Sequence, residues 1–265
     1  MIVDSHVHAS PYWFEPVETL LYEMNVNSVG KALLVQIVSN YDNDYILECM
    51  RRYPGRFAAC VVVDTGRQDA ASKLEECVGK GATGVRLLAK TRLTNPGELE
   101  VWRKANELRL AASVFGNEED FASDEFRSII EMFPDMSIVI EHNGSPSKDE
   151  QAPHPLYRRV LALAQFPNTY MKLGGLGELC HWVKPFRQPN PLSEVPPLLE
   201  MAIDAFGPRR LMFGSDFPPV AHREGYRNAL LWLRNELSYL KQEDLEWIFG
   251  QTALAVWSFP DGIVR

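Results

Sequence analysis

Short apolar, β-branched runs recur along the whole chain, and amphipathic stripes at helical spacing fill the gaps between them. The runs lie at 2–7 (IVDSHV), 31–38 (KALLVQIV), 57–63 (FAACVVV), 82–88 (ATGVRLL), 111–115 (AASVF), 137–141 (SIVIE), 169–173 (TYMKL) and 210–214 (RLMFG). Several are almost continuously apolar, as strands covered on both faces must be. Val17, Leu20, Leu21 and Met24 form the first helical stripe, and Tyr45, Ile46, Cys49, Met50 and Tyr53 the second. Others centre on Leu99–Leu108, Phe126–Phe133, Leu156–Ala164, Leu198–Phe206 and Tyr226–Leu237, with a tail helix at Ala253, Val256 and Trp257. Turn signals such as "YPGR" at 53–56 and "NPGE" at 95–98 punctuate the series. Eight strand–helix units in 265 residues predict an α/β fold, a (β/α)8 TIM barrel spanning 1–265 as one domain. A doubly wound open sheet would carry a glycine-rich first turn, and "DSHVHASP" is not one.

Charge narrows the partners. The net charge of −8 argues against a nucleic-acid or anionic-membrane partner, whose phosphates it would repel. A small acidic substrate is still allowed, because a few local arginines outweigh a global charge. The four cysteines include no CxxC pair and read as reduced thiols of a cytoplasmic protein. No stretch approaches 18 apolar residues, and "MIVDSH" lacks the basic-then-apolar pattern of a signal peptide. Homo-oligomerisation is left open.

Polar residues at strand ends carry the chemistry. His6 and His8 stand two apart at the carboxyl end of the first strand, so they share a face. In a barrel that end is where reacting groups gather. Asp216 follows the eighth strand in "LMFGSDFPP", and barrel closure makes it a neighbour of both histidines. A carboxylate beside two imidazoles suits a metal site or an acid–base site. The bland alternatives are histidines satisfied by backbone and an aspartate that merely caps a turn. In "IVIEHNGSP", Glu141 and His142 should point to opposite sides, which favours His142 for the site and Glu141 for a structural pair. Arg86, on the fourth strand, needs an anionic partner from protein or substrate. With Lys90 and Arg92 after it, a substrate carboxylate could be held bidentately. Lys172 reaches the site if its strand face points inward. His154 and His222 read as surface residues. The segment 174–197, with His181, Trp182, Lys184, Phe186 and Arg187, is a lid over the active-site end, or else a surface excursion or oligomer contact.

Together, "VDSHVH", "RRYPGRFAACVVVD", "GATGVRLL", "SIVIEHNGSP", "FPNTYMKLGGL" and "RLMFGSDFP" resemble the amidohydrolase superfamily, in its amidohydrolase-related (amidohydrolase 2) branch of small TIM-barrel hydrolases. The resemblance runs nearly end to end. It looks most like the lactonase branch, that of sugar lactonases and 2-pyrone-4,6-dicarboxylate lactonase. By that resemblance the first-strand histidines are His6 and His8, the sixth-strand histidine is His142 and the eighth-strand aspartate is Asp216. The carboxylate-binding arginines fall on Arg86 and Arg92. The chain departs from the pattern in four ways, one being Glu141 where relatives often have Asp. The fifth strand, "AASVFGN", lacks the histidine ligand of metal-dependent decarboxylases. "KLGGL" replaces the usual "KLSGL". The tail "GQTALAVW" lacks an asparagine often found there.

The resemblance implies hydrolysis of a lactone or similar cyclic ester. Asp216 would be general base, His6, His8 and His142 would polarise the carbonyl, and Arg86, Arg92 and Lys172 would hold substrate. His6, His8 and Asp216 could bind one divalent metal ion such as zinc, and catalysis without metal is equally consistent. The alternative is metal-dependent nonoxidative decarboxylation of an aromatic or muconate-type acid. A barrel that only binds a ligand is a third, non-enzymatic reading.

Overall fold

The fold was obtained as a computed structural model, which describes residues 1–185 and 191–261. All eight apolar runs are strands: β1 (Ile2–Val7), β2 (Val29–Val35), β3 (Phe57–Val61), β4 (Gly84–Leu88), β5 (Ala111–Phe115), β6 (Ile138–Ile140), β7 (Thr169–Leu173) and β8 (Leu211–Phe213). They pair in parallel in chain order, each with the next. The crossovers carry helices α1 (Val17–Val26), α2 (Asp44–Arg52), α3 (Ala70–Gly79), α4 (Pro96–Glu107), α5 (Glu118–Phe121), α6 (Asp124–Met132), α7 (Pro155–Leu161) and α8 (Leu198–Phe206). Helix α9 (Tyr226–Glu236) and a short helical tail follow β8. This is the (β/α)8 arrangement. Helix α3 was not among the predicted stripes, because it buries only Ala70 and Leu74.

No regular ladder joins β8 to β1; specific bonds do that work. Ser5 Oγ donates to Phe213 O at 2.6 Å, and Asp4 Oδ1 accepts from Ser215 N at 2.9 Å. Asp216 N donates to His6 O at 2.9 Å, and His8 N donates to Phe217 O at 2.7 Å. A Cβ at Gly214 would stand 2.8 Å from the His6 Cβ, so glycine is what lets the two strands approach here. Closure therefore brings positions 6, 8 and 216 together, as the barrel reading requires.

The interior has two layers. Val3, Leu33, Val35, Ala58, Cys60, Val139 and Met212 form an apolar floor with Trp257 of the tail. Trp257 presses on Gly84 at the start of β4, so it plugs the amino end of the barrel. One pleat repeat above the floor, Arg86, Ser113, Glu141 and Lys172 point inward, all buried. Outside, the helices lay their apolar stripes on the strands, and each large side chain so buried contributes about 1.5–3 kcal/mol. Among the described residues no helix is long and apolar enough to cross a membrane.

Candidate active site

The two histidines of β1 lie side by side at the carboxyl end of the barrel. Their Nε2 atoms are 3.2 Å apart. His8 Nδ1 faces the Val35 carbonyl at 2.6 Å, which only an N–H can do, so the lone pair of His8 is on Nε2 and aimed into the site. Burial, and for His6 also the nearby Lys172, lowers both imidazoles' pKa values, His6 well below the ordinary range. Both rings are therefore neutral at pH 7.

Beneath them sits a buried polar hub centred on Glu141. Arg86 binds its carboxylate through Nη2 at 2.6 Å and Nε at 3.1 Å, and Ser113 Oγ donates to it at 2.5 Å. Arg86 Nη1 donates to Gln36 O at 3.0 Å. Lys172 Nζ bridges Ser113 Oγ at 2.6 Å and His6 Nδ1 at 3.0 Å. Burial would raise the pKa of Glu141, but Arg86, Lys172 and His142 outweigh it and hold the value down at about 2. Burial pulls Lys172 down to about 8, against the opposing pull of Glu141. The hub is thus an ionised carboxylate between two buried cations.

His142 and Asp216 arrive by turns instead of strands. Both have left-handed backbone, φ 52° and 59°, a conformation non-glycine residues adopt at a cost of order 1–3 kcal/mol. The turn at His142 swings its ring back over the barrel, where its centroid lies 4.8 Å from that of His6. The expectation that only one of Glu141 and His142 faces the axis is therefore corrected. Glu141 keeps the inward parity of Val139, and His142 leaves the strand before parity could send it outward. Asp216 Oδ1 lies 3.4 Å from His8 Nε2 and 3.9 Å from His6 Nε2. Its Oδ2 accepts from Arg223 Nη1 at 2.8 Å. Burial favours the neutral acid of Asp216, yet His8, His142 and Arg223 lower its pKa and keep it ionised.

Two residues of this cluster were not singled out in the sequence. Arg223 follows Asp216 by seven positions, in a stretch where only His222 drew notice. Glu178 lies in the loop after β7, with Oε1 3.2 Å from His142 Nδ1 and 3.4 Å from Arg223 Nη2. Burial opposes the charged form of His142; Glu178, with Asp216 and Glu141, outweighs burial and raises its pKa. A glycine run ending in an acid, just past an active-site strand, was the available signal for Glu178.

The spacing of the donors fits a metal ion of zinc's size, and His6 would ligate through Nε2 once its proton sits on Nδ1, where a neutral Lys172 Nζ would accept it. Two ligands of a tetrahedral zinc site stand about 3.3 Å apart. The three separations among His6 Nε2, His8 Nε2 and Asp216 Oδ1 are 3.2, 3.4 and 3.9 Å. The Val35 carbonyl behind His8 is the partner a ligating imidazole needs on its other nitrogen.

At the mouth, the loops after β2, β3 and β4 enclose a cleft of about 380 Å³, lined in part by Tyr41, Arg86, Leu88, Lys90 and Arg92. Arg92 lies there exposed, whereas the donors of Arg86 are directed at Glu141 and Gln36. Aromatics rim the mouth, Trp13 and Phe115 exposed and Phe14 half-buried. Phe14 stacks on His8 at 5.6 Å and Trp13 on Phe14 at 4.3 Å, while Phe115 meets His142 at 6.3 Å from the other side. His222 is exposed as expected. His154 is not: the left-handed turn entering α7 folds it inward, 3.7 Å from Glu150. In the segment after β7, His181, Trp182 and Lys184 are exposed, and Trp182 pairs with Leu192 as an antiparallel bridge. Phe186 and Arg187 lie outside the described residues.

The family and the fold have counterparts among known proteins. The chain is 30% identical over 133 residues to an L-fucono-1,5-lactonase of Burkholderia multivorans; the match covers 47% of this chain and 44% of that relative. The chain thus spans less than half the length of the curated lactonases it matches. An amidohydrolase from Burkholderia multivorans with bound zinc superposes with a TM-score of 0.80 at 21% identity, covering 98% of this chain and all of the other. A probable 2-pyrone-4,6-dicarboxylic acid hydrolase from Acinetobacter baumannii, with citric acid bound, gives 0.75 at 17% identity, covering 96% and 98%. These structures establish likeness of fold. The amidohydrolase family profile matches residues 3–259, nearly the whole chain, and the chain belongs to that family of hydrolases.

Proposed function

We propose that this enzyme opens a lactone or similar cyclic ester by attack of water. The observation that carries the reading is the state of Asp216. It is an ionised, largely buried carboxylate with one oxygen tied to Arg223 and the other free to face the two neutral imidazoles. Such a group is a general base held in one orientation. Asp216 takes a proton from water as the water oxygen bonds to the carbonyl carbon. The carbonyl oxygen gathers charge at His142, whose raised pKa makes it the ring of the three able to donate, and hydrogen-bond donors in a dry site count most. Collapse breaks the ring C–O bond, and the departing alkoxide regains the proton from Asp216. The product is a hydroxy acid, which ionises.

His6, His8 and Asp216 would hold a divalent ion such as zinc, which when bound supplies Lewis-acid polarisation of the carbonyl. Arg92 with Lys90, in the cleft beside the site, would bind a substrate carboxylate, while Arg86 orients Glu141 and Lys172 supports His6. The aromatic rim suits the ring of a small substrate.

A panel of sugar lactones and pyrone carboxylates, read with a pH indicator, tests the reading. Proton release without CO2 is expected. Asp216→Asn should lower kcat by about 10²–10⁴ while the protein folds normally. Turnover retained in that variant, or CO2 among the products, would sink the assignment.

A further inference from the structure

The loop after β7 reads GGLGEL from position 174, and its first glycine has a specific job. The Glu178 side chain folds back over Gly174. A Cβ placed there would fall 2.0 Å from Glu178 Oε2 and 2.1 Å from its Cδ. The carboxylate therefore occupies space that any other residue at 174 would fill.

What Glu178 touches there is the reacting cluster. Its Oε2 accepts from Asn143 Nδ2 at 2.9 Å, and its Oε1 lies 3.2 Å from His142 Nδ1. Oε1 also stands 3.4 Å from Arg223 Nη2, and the same guanidinium donates through Nη1 to Asp216 Oδ2 and through Nη2 to Ser215 O. One carboxylate from the β7 loop thus reaches the β6 turn directly and the β8 turn through one arginine. Both of these turns are held in left-handed backbone. They share no backbone ladder with each other, so side-chain contacts must set the spacing between them.

We propose that Glu178, seated by Gly174, is a positioning residue for the hydrolytic reaction. It fixes the His142 ring directly and the Asp216 carboxylate through Arg223, so that base and carbonyl-polarising group keep one separation. This rests on the lactone-opening reading of the site. Glu178 touches neither substrate nor water in this scheme. Its effect belongs to the transition state, where a misplacement of about 1 Å costs on the order of 10²-fold in rate.

A double-mutant cycle with Gly174→Ala, Glu178→Ala and the double variant tests it. On whichever lactone the wild type hydrolyses, each single variant should lower kcat about 10–100-fold and leave KM within about twofold. The double variant should be no slower than Glu178→Ala, because the methyl group at 174 then displaces nothing. Glu178→Gln, which keeps the shape, should recover part of kcat. Melting temperatures follow the same logic. Gly174→Ala should lower Tm on the order of 5 °C in the wild-type background and far less beside Glu178→Ala.

A readout independent of turnover is the ¹⁵N ring resonances of His142, assigned by their loss in His142→Asn. They should shift in Glu178→Ala and in Gly174→Ala alike. If the wild type hydrolyses no lactone, the lactone reading fails, and the His142 resonances still decide the positioning role. Additive effects in the cycle, unchanged kcat in Glu178→Ala, or His142 resonances unmoved in that variant would overturn the proposal.

Discussion

Glu141→Gln is the sharpest single perturbation of this barrel. In the wild type one buried carboxylate balances Arg86, bound at 2.6 Å, and Lys172, 3.8 Å away, and it also accepts from Ser113. The amide keeps the shape and removes the charge. Two buried cations then lack a counter-charge, and breaking a buried pair in this way costs about 3–5 kcal/mol. At roughly 2 °C of Tm per kcal/mol for a chain of this size, the drop should be on the order of 10 °C. The effect should depend on pH with a definite sign. The Glu141 pKa is depressed from 4.5 to about 2, so its stabilisation is complete above the unfolded value and fades as pH falls through that window. Calorimetric scans of wild type and variant should therefore differ most at pH 7 and converge between about pH 4.5 and 2. The apolar pair Arg86→Met with Glu141→Leu should recover part of the lost stability, since it removes one of the two unpaired cations and leaves Lys172 as the other. A variant that melts within about 1 °C of wild type at pH 7, or a gap that widens on acidification, would refute the reasoning.

Other outcomes follow from single contacts. Gly214→Ala forces a Cβ to within 2.8 Å of the His6 Cβ, so thermal stability should fall by about 1–3 kcal/mol and kcat should fall with it. Trp13→Ala removes an exposed ring stacked on Phe14 but touches no reacting group; steady-state kinetics should show a KM raised several-fold and kcat nearly unchanged. Zinc titrated into the protein by calorimetry should saturate at one ion per chain, and His8→Asn should abolish that uptake while Arg92→Ala leaves it intact. Arg92→Ala should instead weaken turnover of carboxylate-bearing lactones and spare neutral ones, as competition kinetics between the two classes will report.

The sequence went further on framework than on the site. Strand positions were legible because each strand announces itself locally, through apolar runs of the right length between turn residues. His6, His8, Lys172 and Asp216 were legible as candidates because strand ends in a barrel are where polar residues converge. The reading failed where the chain leaves its period. Glu141 and His142 were expected on opposite faces, yet left-handed backbone at His142 brings both to the site. His154 was expected outside and is buried by the same device. Helix α3 was missed because two buried residues make no stripe. Glu178 and Arg223 escaped notice because their meaning lies wholly in their partners, 36 residues apart for Glu178 and His142.

By itself, the order of apolar runs and helical stripes determined the barrel architecture, and with it the end of the barrel where reacting groups sit. That information is local, written in periods of two and 3.6 residues. Only the tertiary structure decided which charges meet. Contacts such as Lys172 with His6, 166 positions apart, and Ser5 with Phe213, 208 apart, exist because β7 and β8 close onto β1. Closure also decided that Arg86 faces Glu141 inside the barrel, and that glycines at 174 and 214 stand where a side chain would collide. Pairing of buried charge is a long-range property of the closed sheet, and no window along the chain contains it.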